Sequence, residues 1–324
     1  MPIVSIIISN YNGIKYLKNC IVSLKNNSFT DFELIIVDNG SVDKSVDYVR
    51  ANYPEIKVLS LGSNLGLSIA SNRGKELAKG RYLFFYNNDT IAKKEMLAEL
   101  VRAMESNPQV GICGCRTFTY DGSNEINSGV HMDIFGYPYG KGRPFYVDAG
   151  IFIRKDVFNE IGGFDSKLFL YCEDRDICWR CLLYGYDIMV VDSAGFYHDS
   201  FCAIDAAGKL TTNIKKRFMG EAFTLRMLLK NYSFQTLLMV MPLYFLINLA
   251  EIMFFTLGAK PKVVLLTYLK AYLWNIHNLK STLQARRIIQ RSRRVRDSFI
   301  QSRMYKGSGK LMLFNKAGIP DFEF

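Results

Sequence analysis

No G-x-G-x-x-G follows the first strand-like run of this 324-residue sequence, and no G-x-x-x-x-G-K-[ST] occurs in it. A dinucleotide fold and a P-loop NTPase both lose their phosphate cradle by these absences. A nucleotide bound here needs a metal and side chains to hold its phosphates. The seven cysteines are Cys20, Cys113, Cys115, Cys172, Cys178, Cys181 and Cys202, an odd number. Cys178-x-x-Cys181 falls in a helix-like stretch, and Cys113-x-Cys115 makes a poor second pair. Neither a disulfide framework nor a cysteine-rich zinc site is expected. The thiols read as reduced and cytosolic. MPIVSIII lacks a basic n-region, so no leader is expected. There is no internal repeat and no heptad seam.

What is present begins with apolar residues, 49% of the chain, enough for a core in one large domain or two. Charge is uneven. Residues 1–208 carry 21 Lys and Arg against 25 Asp and Glu, whereas 209–324 carry 20 against 5. A near-neutral body thus precedes a basic third, which suggests an anionic surface as the latter's partner, membrane or nucleic acid.

Tyr82–Thr90 (YLFFYNNDT) is an apolar run that stops at two amides and a carboxylate. Such a run reads as a buried strand of an α/β sheet. Ligands of open α/β sheets bind beyond the carboxyl ends of the strands, where Asn87, Asn88 and Asp89 fall. Strand-like runs at 3–9, 32–37, 56–61 and 82–86 alternate with helical stretches at 14–27, 43–52 and 70–79. That order predicts a parallel sheet wound with helices. The strand ends collect polar residues: Ser9–Asn12, Asp38–Ser41, Asn64 and Asn87–Asp89. Further helices are predicted over 95–105, 156–161 and 176–184, with strands at 110–115, 148–153 and 188–191. Gly80 reads as a helix C-cap. Phe118–Phe145 lacks periodicity and reads as a long binding loop.

The ordered pieces VSIIISNYNG (4–13), IIVDNGSVD (35–43), SNLGLSIASNRG (63–74), FFYNNDT (84–90), GGFD (162–165), FLYCEDRDICWR (169–180) and His198 together resemble family-2 glycosyltransferases. These are inverting enzymes of GT-A fold that use nucleotide-diphosphate sugars. The nearest subgroup is the rhamnosyltransferase-like enzymes of bacterial polysaccharide assembly. The resemblance covers roughly the first two-thirds of the chain. It implies an α/β GT-A domain over 1–208, followed by a helical, membrane-associating region over 209–306 and a tail over 307–324.

The resemblance also implies roles. Ser9 and Tyr11 match positions lining the base and ribose. Asp38 matches the carboxylate that accepts from the pyrimidine N–H, as an acceptor-only group can. Asn64 and Asn72 fall near the nucleotide, or serve as turn and helix-cap residues. Asn87-Asn88-Asp89 stands at the metal-binding D-x-D motif, so only Asp89 retains its carboxylate. His198 completes the metal site, which would take Mn²⁺ or Mg²⁺. Glu173-Asp174 matches the pair whose aspartate is the general base; the plain alternative is a helix N-terminus favouring acids. Trp179 and Tyr137 match either acceptor contacts or packing.

From Asn213 the pattern is helical. Leu237–Leu257 is about long enough to span a bilayer but contains Pro242, Asn248 and Glu251. Val263–Trp274 is a shorter apolar run carrying Lys270. Helices lying in the membrane interface are therefore favoured over a spanning hairpin. Arg286–Arg303 would add attraction to anionic lipid. No recognition module for nucleic acid accompanies these charges. The expectation is an inverting, metal-dependent glycosyltransferase at the cytoplasmic face of the membrane, peripheral or shallowly embedded. It would move rhamnose or another hexose from a dTDP- or UDP-sugar to a glycan or lipid-linked acceptor. The alternative is a non-catalytic sugar-nucleotide-binding or scaffold protein on the same fold.

Overall fold

The β-branched run Val4–Asn10 forms β1, buried on both faces as such a run requires. Around it the computed structural model describes residues 1–127, 129–139, 144–199, 211–258, 260–318 and 321–323. They divide into two compact units. The first comprises Met1–Val130, Lys141–Leu182 and Tyr186–Ser200; the second comprises His131–Gly140, Leu183–Gly185 and Phe201–Phe324. The predicted boundary at 208 falls outside the described residues.

In the first unit, α1 (Ile14–Lys25), β2 (Phe32–Asp38), α2 (Ser45–Asn52), β3 (Lys57–Ser60), α3 (Leu67–Leu77) and β4 (Tyr82–Asn87) follow in the predicted alternation. Leu17, Cys20, Ile21 and Leu24 form the buried stripe of α1. Then come β5 (Thr90–Ala92), α4 (Met96–Ser106), β6 (Val110–Thr119) and β7 (Glu125–Asn127). The hairpin strands β8 (His131–Met132) and β9 (Pro138–Tyr139) belong to the second unit. The first unit resumes with β10 (Gly150–Arg154), α5 (Lys155–Glu160), α6 (Glu173–Leu183) and β11 (Asp187–His198).

The main sheet runs β3-β2-β1-β4-β10-β6-β11-β5, with β7 on β6. β1 to β4 pair in parallel, as do β6 and β11, while β10 lies antiparallel between β4 and β6. The sheet is thus mixed and mostly parallel. Its core joins Ile6, Ile8, Ile36, Phe84 and Phe152, all buried, each side chain contributing about 1.5–3 kcal/mol. Tyr82 stacks on Phe152 at 5.2 Å and Phe84 on Tyr86 at 4.7 Å. All cysteines among the described residues are free and buried, as the absent framework predicted; Cys202 lies outside them.

Two local expectations are corrected. The helix before Gly80 is capped at Ala78; Gly80 instead lets the chain pass against β1, where its N–H donates to Ser5 Oγ at 2.8 Å. The stretch 118–145 is not one loop. It extends β6, forms β7, and contributes the β8–β9 hairpin, in which His131 pairs with Tyr139.

The second unit continues with β12 (Thr211–Asn213), α7 (Ile214–Asn231), α8 (Phe234–Leu257), α9 (Pro261–Val263), a π-helix (Val264–Leu269), α10 (Lys270–His277), α11 (Leu279–Ser292), α12 (Asp297–Ser302), α13 (Gly309–Ala317) and β13 (Asp321–Glu323). Asn213, Ser233 and Ser308 cap α7, α8 and α13 through their side-chain oxygens. α8 has a mean hydropathy of 2.0 and is only 17% buried over its most apolar window. It carries Pro242 internally.

Glu251 was expected to oppose burial in lipid. The structure pairs it with Arg217 at 2.7 Å and Lys310 at 2.8 Å. Glu221 pairs with the same two cations, and Asn248 accepts from Lys310 at 2.9 Å. The charge is therefore already neutralised inside this unit, through a lysine of the tail.

Candidate functional site

The polar strand ends of the sequence meet at the carboxyl ends of β1, β2 and β4. Register sets Asn10 opposite Asp38 and Ser9 opposite Asn87. Asn88 Nδ2 donates to Asn10 Oδ1 at 2.9 Å, and Asn10 Nδ2 donates to Ser45 Oγ at 2.9 Å. Gly13 is needed beside this pair: a Cβ there would lie 2.1 Å from Asn88 Nδ2. Asp38 is buried and accepts from Ser41 N–H at 3.2 Å, which shapes the turn after β2. Tyr11 stands half exposed on the preceding loop.

Asn64 and Asn72 take structural roles. Asn64 Oδ1 accepts from Asn39 Nδ2 and from Gly66 N–H, both at 3.1 Å. Gly66, at φ +89°, lies against Phe169, where a Cβ would come within 2.7 Å. Asn72 clamps Phe164, donating to its carbonyl at 2.8 Å and accepting from its N–H at 3.0 Å. It thereby ties α3 to the G-G-F-D turn.

A cleft of about 270 Å³ opens above these strand ends. Ser9, Ser71, Asn87, Asp148, Glu173, Asp174 and His198 supply its polar lining. The β5–β11 pairing sets Thr90 opposite His198. That register brings His198 Nε2 to 3.2 Å from Asp89 Oδ1 and 3.4 Å from Asn87 Nδ2.

Glu173, Asp174 and Asp176 occupy the first turn of α6, where the helix N-terminus favours negative charge. Asp176 is sequestered by Arg180 at 2.9 Å. Asp174 stays at the cleft, with Oδ1 accepting from Arg175 N–H at 2.7 Å. Burial and then the Glu173 charge push the Asp174 carboxyl well above the ordinary range, with Arg175 pulling the other way. Burial raises Glu173 too. Glu173 Oε2 is buried with no hydrogen-bond partner.

The acceptor assignments of Trp179 and Tyr137 do not fit. Trp179 is fully buried, with Phe145 packed edge-on at 5.9 Å. Tyr137 is buried in the second unit, where its hydroxyl donates to Glu221 at 2.5 Å. Tyr139 stacks on Tyr305. Each ring finds protein to pack against.

Ser71, Asp148 and Tyr171 line the cleft without having been singled out from sequence. Ala149 (φ +56°) and Tyr171 (φ +86°) are non-glycine residues in the left-handed region. Such strain collects at functional sites. Neither residue type signals it; the polar spacing of Ser68 and Ser71 on α3 was the readable clue for Ser71.

A divalent cation fits as a half-site. Among the described residues no three acidic, histidine or cysteine side chains gather to hold a metal. Asp89 and His198 could supply two ligands side by side, and Mg²⁺-type sites often use one or two carboxylates and complete the shell with substrate phosphates and water.

Residues 5–164 match the family model described as Glycosyl transferase family 2. An uncharacterized glycosyltransferase, YibD of Escherichia coli (strain K12), is 36% identical over 113 residues, 34% of this chain and 33% of its own. The fragment 1-349 of S. aureus TarS, solved with UDP, superimposes with a TM-score of 0.53 at 19% identity, covering 71% of this chain and 64% of its own. GalNAc-T7, solved with UDP, GalNAc and Mn²⁺, gives 0.53 at 17% identity over 60% of this chain and 43% of its own. The chain thus spans less than two thirds of each. Residues 5–164 resemble a glycosyltransferase family 2 domain, on a fold of GT-A type.

Proposed function

We propose that this chain, whose residues 5–164 resemble a family 2 glycosyltransferase domain, is an inverting transferase that moves a hexose from a dTDP- or UDP-sugar to an acceptor hydroxyl. The observation that carries the reading is the shared cleft. Asp174 lines it from the start of α6, and His198, in contact with Asp89, lines it from the end of β11. A base and a diphosphate-holding pair thus face one space. Complexes of S. aureus TarS with UDP and of GalNAc-T7 with UDP and Mn²⁺ support a nucleotide-sugar donor and a divalent cation.

In this reading Asp174 takes the acceptor's proton. The acceptor oxygen forms its bond to the anomeric carbon from the face opposite the leaving group. The bond from that carbon to the diphosphate oxygen breaks, and the electron pair leaves with the nucleoside diphosphate. A single displacement inverts the anomeric centre. The raised Asp174 carboxyl is a stronger base once ionised, nearer the value suited to proton abstraction at neutral pH. Asp89 and His198 would hold Mn²⁺ or Mg²⁺, which neutralises charge developing on the diphosphate. Ser9, Tyr11, Asp38, Asn87 and Asn88 would surround the nucleotide. Rhamnose remains the favoured sugar through the subgroup resemblance.

The helical region after residue 208 would seat the enzyme on the cytoplasmic face of the membrane, near a glycan or lipid-linked acceptor. The long apolar helix α8, the one such helix among the described residues, with large side chains such as Leu238, Leu246 and Leu257 exposed, supports this seat. The test of activity is a donor screen. Purified chain is offered dTDP-, UDP- and GDP-sugars with Mn²⁺ or Mg²⁺, and nucleotide release is followed. Release from a dTDP- or UDP-sugar, dependent on acceptor, is the expected result. Binding without turnover of any donor would favour the non-catalytic alternative.

A further inference from the structure

Within the second unit a cavity of about 220 Å³ opens between α8 and α13. Its walls are apolar: Ala250 and Phe254 from α8, Leu311 and Phe314 from α13. Phe254 and Phe314 meet edge-on at 5.5 Å and join the two helices. Ala250 and Phe254 stand one turn apart and are exposed, as are Leu246, Leu249 and Met253 on the neighbouring rows of α8. The cavity mouth is therefore an inlet of the apolar face of α8.

The floor is charged. Arg217, Glu251 and Lys310 line it. Lys310 Nζ donates to Asn248 Oδ1 at 2.9 Å and lies 2.8 Å from both Glu221 Oε1 and Glu251 Oε2, so its three donors are taken. Arg217 Nε lies 3.1 Å from Glu221, and its Nη2 lies 2.7 Å from Glu251 and from the Tyr268 hydroxyl. An entering anion has to draw one of these cations away from its glutamate, and a carboxylate robbed of its partner inside a protein is costly. An entering hydroxyl asks for less. It donates to the partly exposed Glu251 and accepts from the guanidinium fork, with every ion pair kept.

We infer that this cavity binds one neutral, hydroxyl-headed lipid of the bilayer, its head against Arg217 and Glu251 and its chain running out past Ala250 and Phe254. The class is a monoacylglycerol or a long-chain alcohol. An engineered apolar cavity of about 150 Å³ holds benzene, so by proportion this one holds roughly eight carbons of the chain. The inference rests on the membrane seat and not on the transferase reading. It gives α13 a role, as one wall of the site and the carrier of Lys310 to its floor.

The full chain is mixed with phosphatidylcholine vesicles carrying a monoacylglycerol with a diazirine near its head or, separately, an alkyl sulfate of equal length with the same diazirine. After irradiation and sedimentation, peptide mass spectrometry locates the label. Labelling of 247–255 and 311–314 is expected, roughly tenfold stronger with the monoacylglycerol, the weight of one hydrogen bond to a charged group. Unlabelled monoolein should compete it away. Ala250→Trp should block the mouth and abolish this labelling, while its melting curve and its sedimentation stay as in wild type. Glu251→Gln leaves the floor one positive charge in excess and should turn the preference toward the sulfate. A wild-type preference for the sulfate overturns the neutral head. Labelling that survives Ala250→Trp or excess monoolein overturns the cavity as its place. Label spread evenly over exposed positions such as Leu238 and Leu273 leaves the seat standing and overturns the site. Failure to sediment overturns the seat, and labelling of the cavity by dispersed probe would then overturn the bilayer as the source.

Discussion

His198 Nε2 lies 3.2 Å from Asp89 Oδ1, and the contact is made by strand register rather than by sequence proximity. β5 is three residues long, begins one residue after Asp89, and sets Thr90 against His198. The Asp199 N–H donates to the Asp89 carbonyl at 3.1 Å and extends the same zipper. The geometry presents one carboxylate oxygen and one imidazole nitrogen side by side. In the proposed metal site, where the D-x-D triplet is reduced to Asn87-Asn88-Asp89, His198 would stand in for the missing carboxylate.

Asp89→Ala should weaken nucleoside-diphosphate binding and abolish any stimulation of that binding by Mn²⁺ or Mg²⁺. His198→Ala should act in the same direction but more mildly, because hard cations prefer oxygen. Calorimetric titration of UDP and dTDP, with and without EDTA, checks this independently of turnover. Equal affinity in EDTA and in Mn²⁺ would remove the metal from the site.

Asp174→Asn should lower turnover by about 10²–10⁴-fold, the usual range for a lost general base, while donor affinity stays near wild type. Stability should move the other way. The folded-state pKa of Asp174 is raised, so folding binds a proton that the unfolded chain releases above about pH 4. Stability from this group therefore falls as pH rises from there through the folded value. Asn removes that loss, so the variant should melt higher than wild type at pH 7, with the gap closing near pH 4. The same shift predicts a kcat/KM that still climbs with pH above the ordinary carboxylate range. A variant that keeps wild-type turnover would take the base role from Asp174.

Much of the first unit was legible. The strand alternation, the buried face of α1 and the turn at Gly162-Gly163 follow from local rules of period and backbone freedom. Asp89, Asp174 and His198 were singled out through ordered motifs, and strand pairing brings Asp89 and His198 into contact, while their proposed roles await the tests above. Asn72 and Trp179 show where the reading stopped. An amide on a helix is the same letter whether it meets a ligand or clamps Phe164, and only tertiary packing decides. Asp148 and Ala149 were unreadable because nothing in D-A-G announces a positive φ at alanine. Lys310 was missed because its partners, Glu221 and Glu251, lie on two other helices.

Lys310→Met should destabilise the second unit by roughly 3–5 kcal/mol, because it leaves buried Glu221 short of a partner. Arg217 still reaches both glutamates, so the double variant Lys310→Met/Glu221→Gln should recover part of the loss. Denaturant unfolding of wild type, both single variants and the double variant gives the coupling. Strict additivity would mean that the four charges do not act as a network.

The last prediction concerns the helical region and lipid. Leu238, Leu243, Leu246, Leu249, Met253 and Leu257 of α8 are all at least half exposed. Asn248, on the same helix, is buried, and Glu251 is only partly exposed; both are engaged by Lys310. The helix thus turns apolar side chains outward and keeps its polar ones satisfied within the unit. Not every arginine of 286–303 is available to lipid. Arg286 donates to the carbonyls of Leu229 and Tyr232, Arg293 pairs with Asp297, and Arg294 donates to the Tyr184 carbonyl. Arg287, Arg291 and Arg296 are exposed, and each adds about 1 kcal/mol of attraction where it reaches an anionic surface. The chain should co-sediment with phosphatidylglycerol-containing vesicles and less with pure phosphatidylcholine. Reversing those three arginines to glutamate should abolish the difference, and Leu246→Glu with Leu249→Glu should weaken binding to both. Alkaline carbonate should release most of the protein, since α8 would lie in the interface with its apolar side down. Retention through carbonate would instead make α8 a spanning helix, a result that the internal neutralisation of Glu251 permits on energetic grounds.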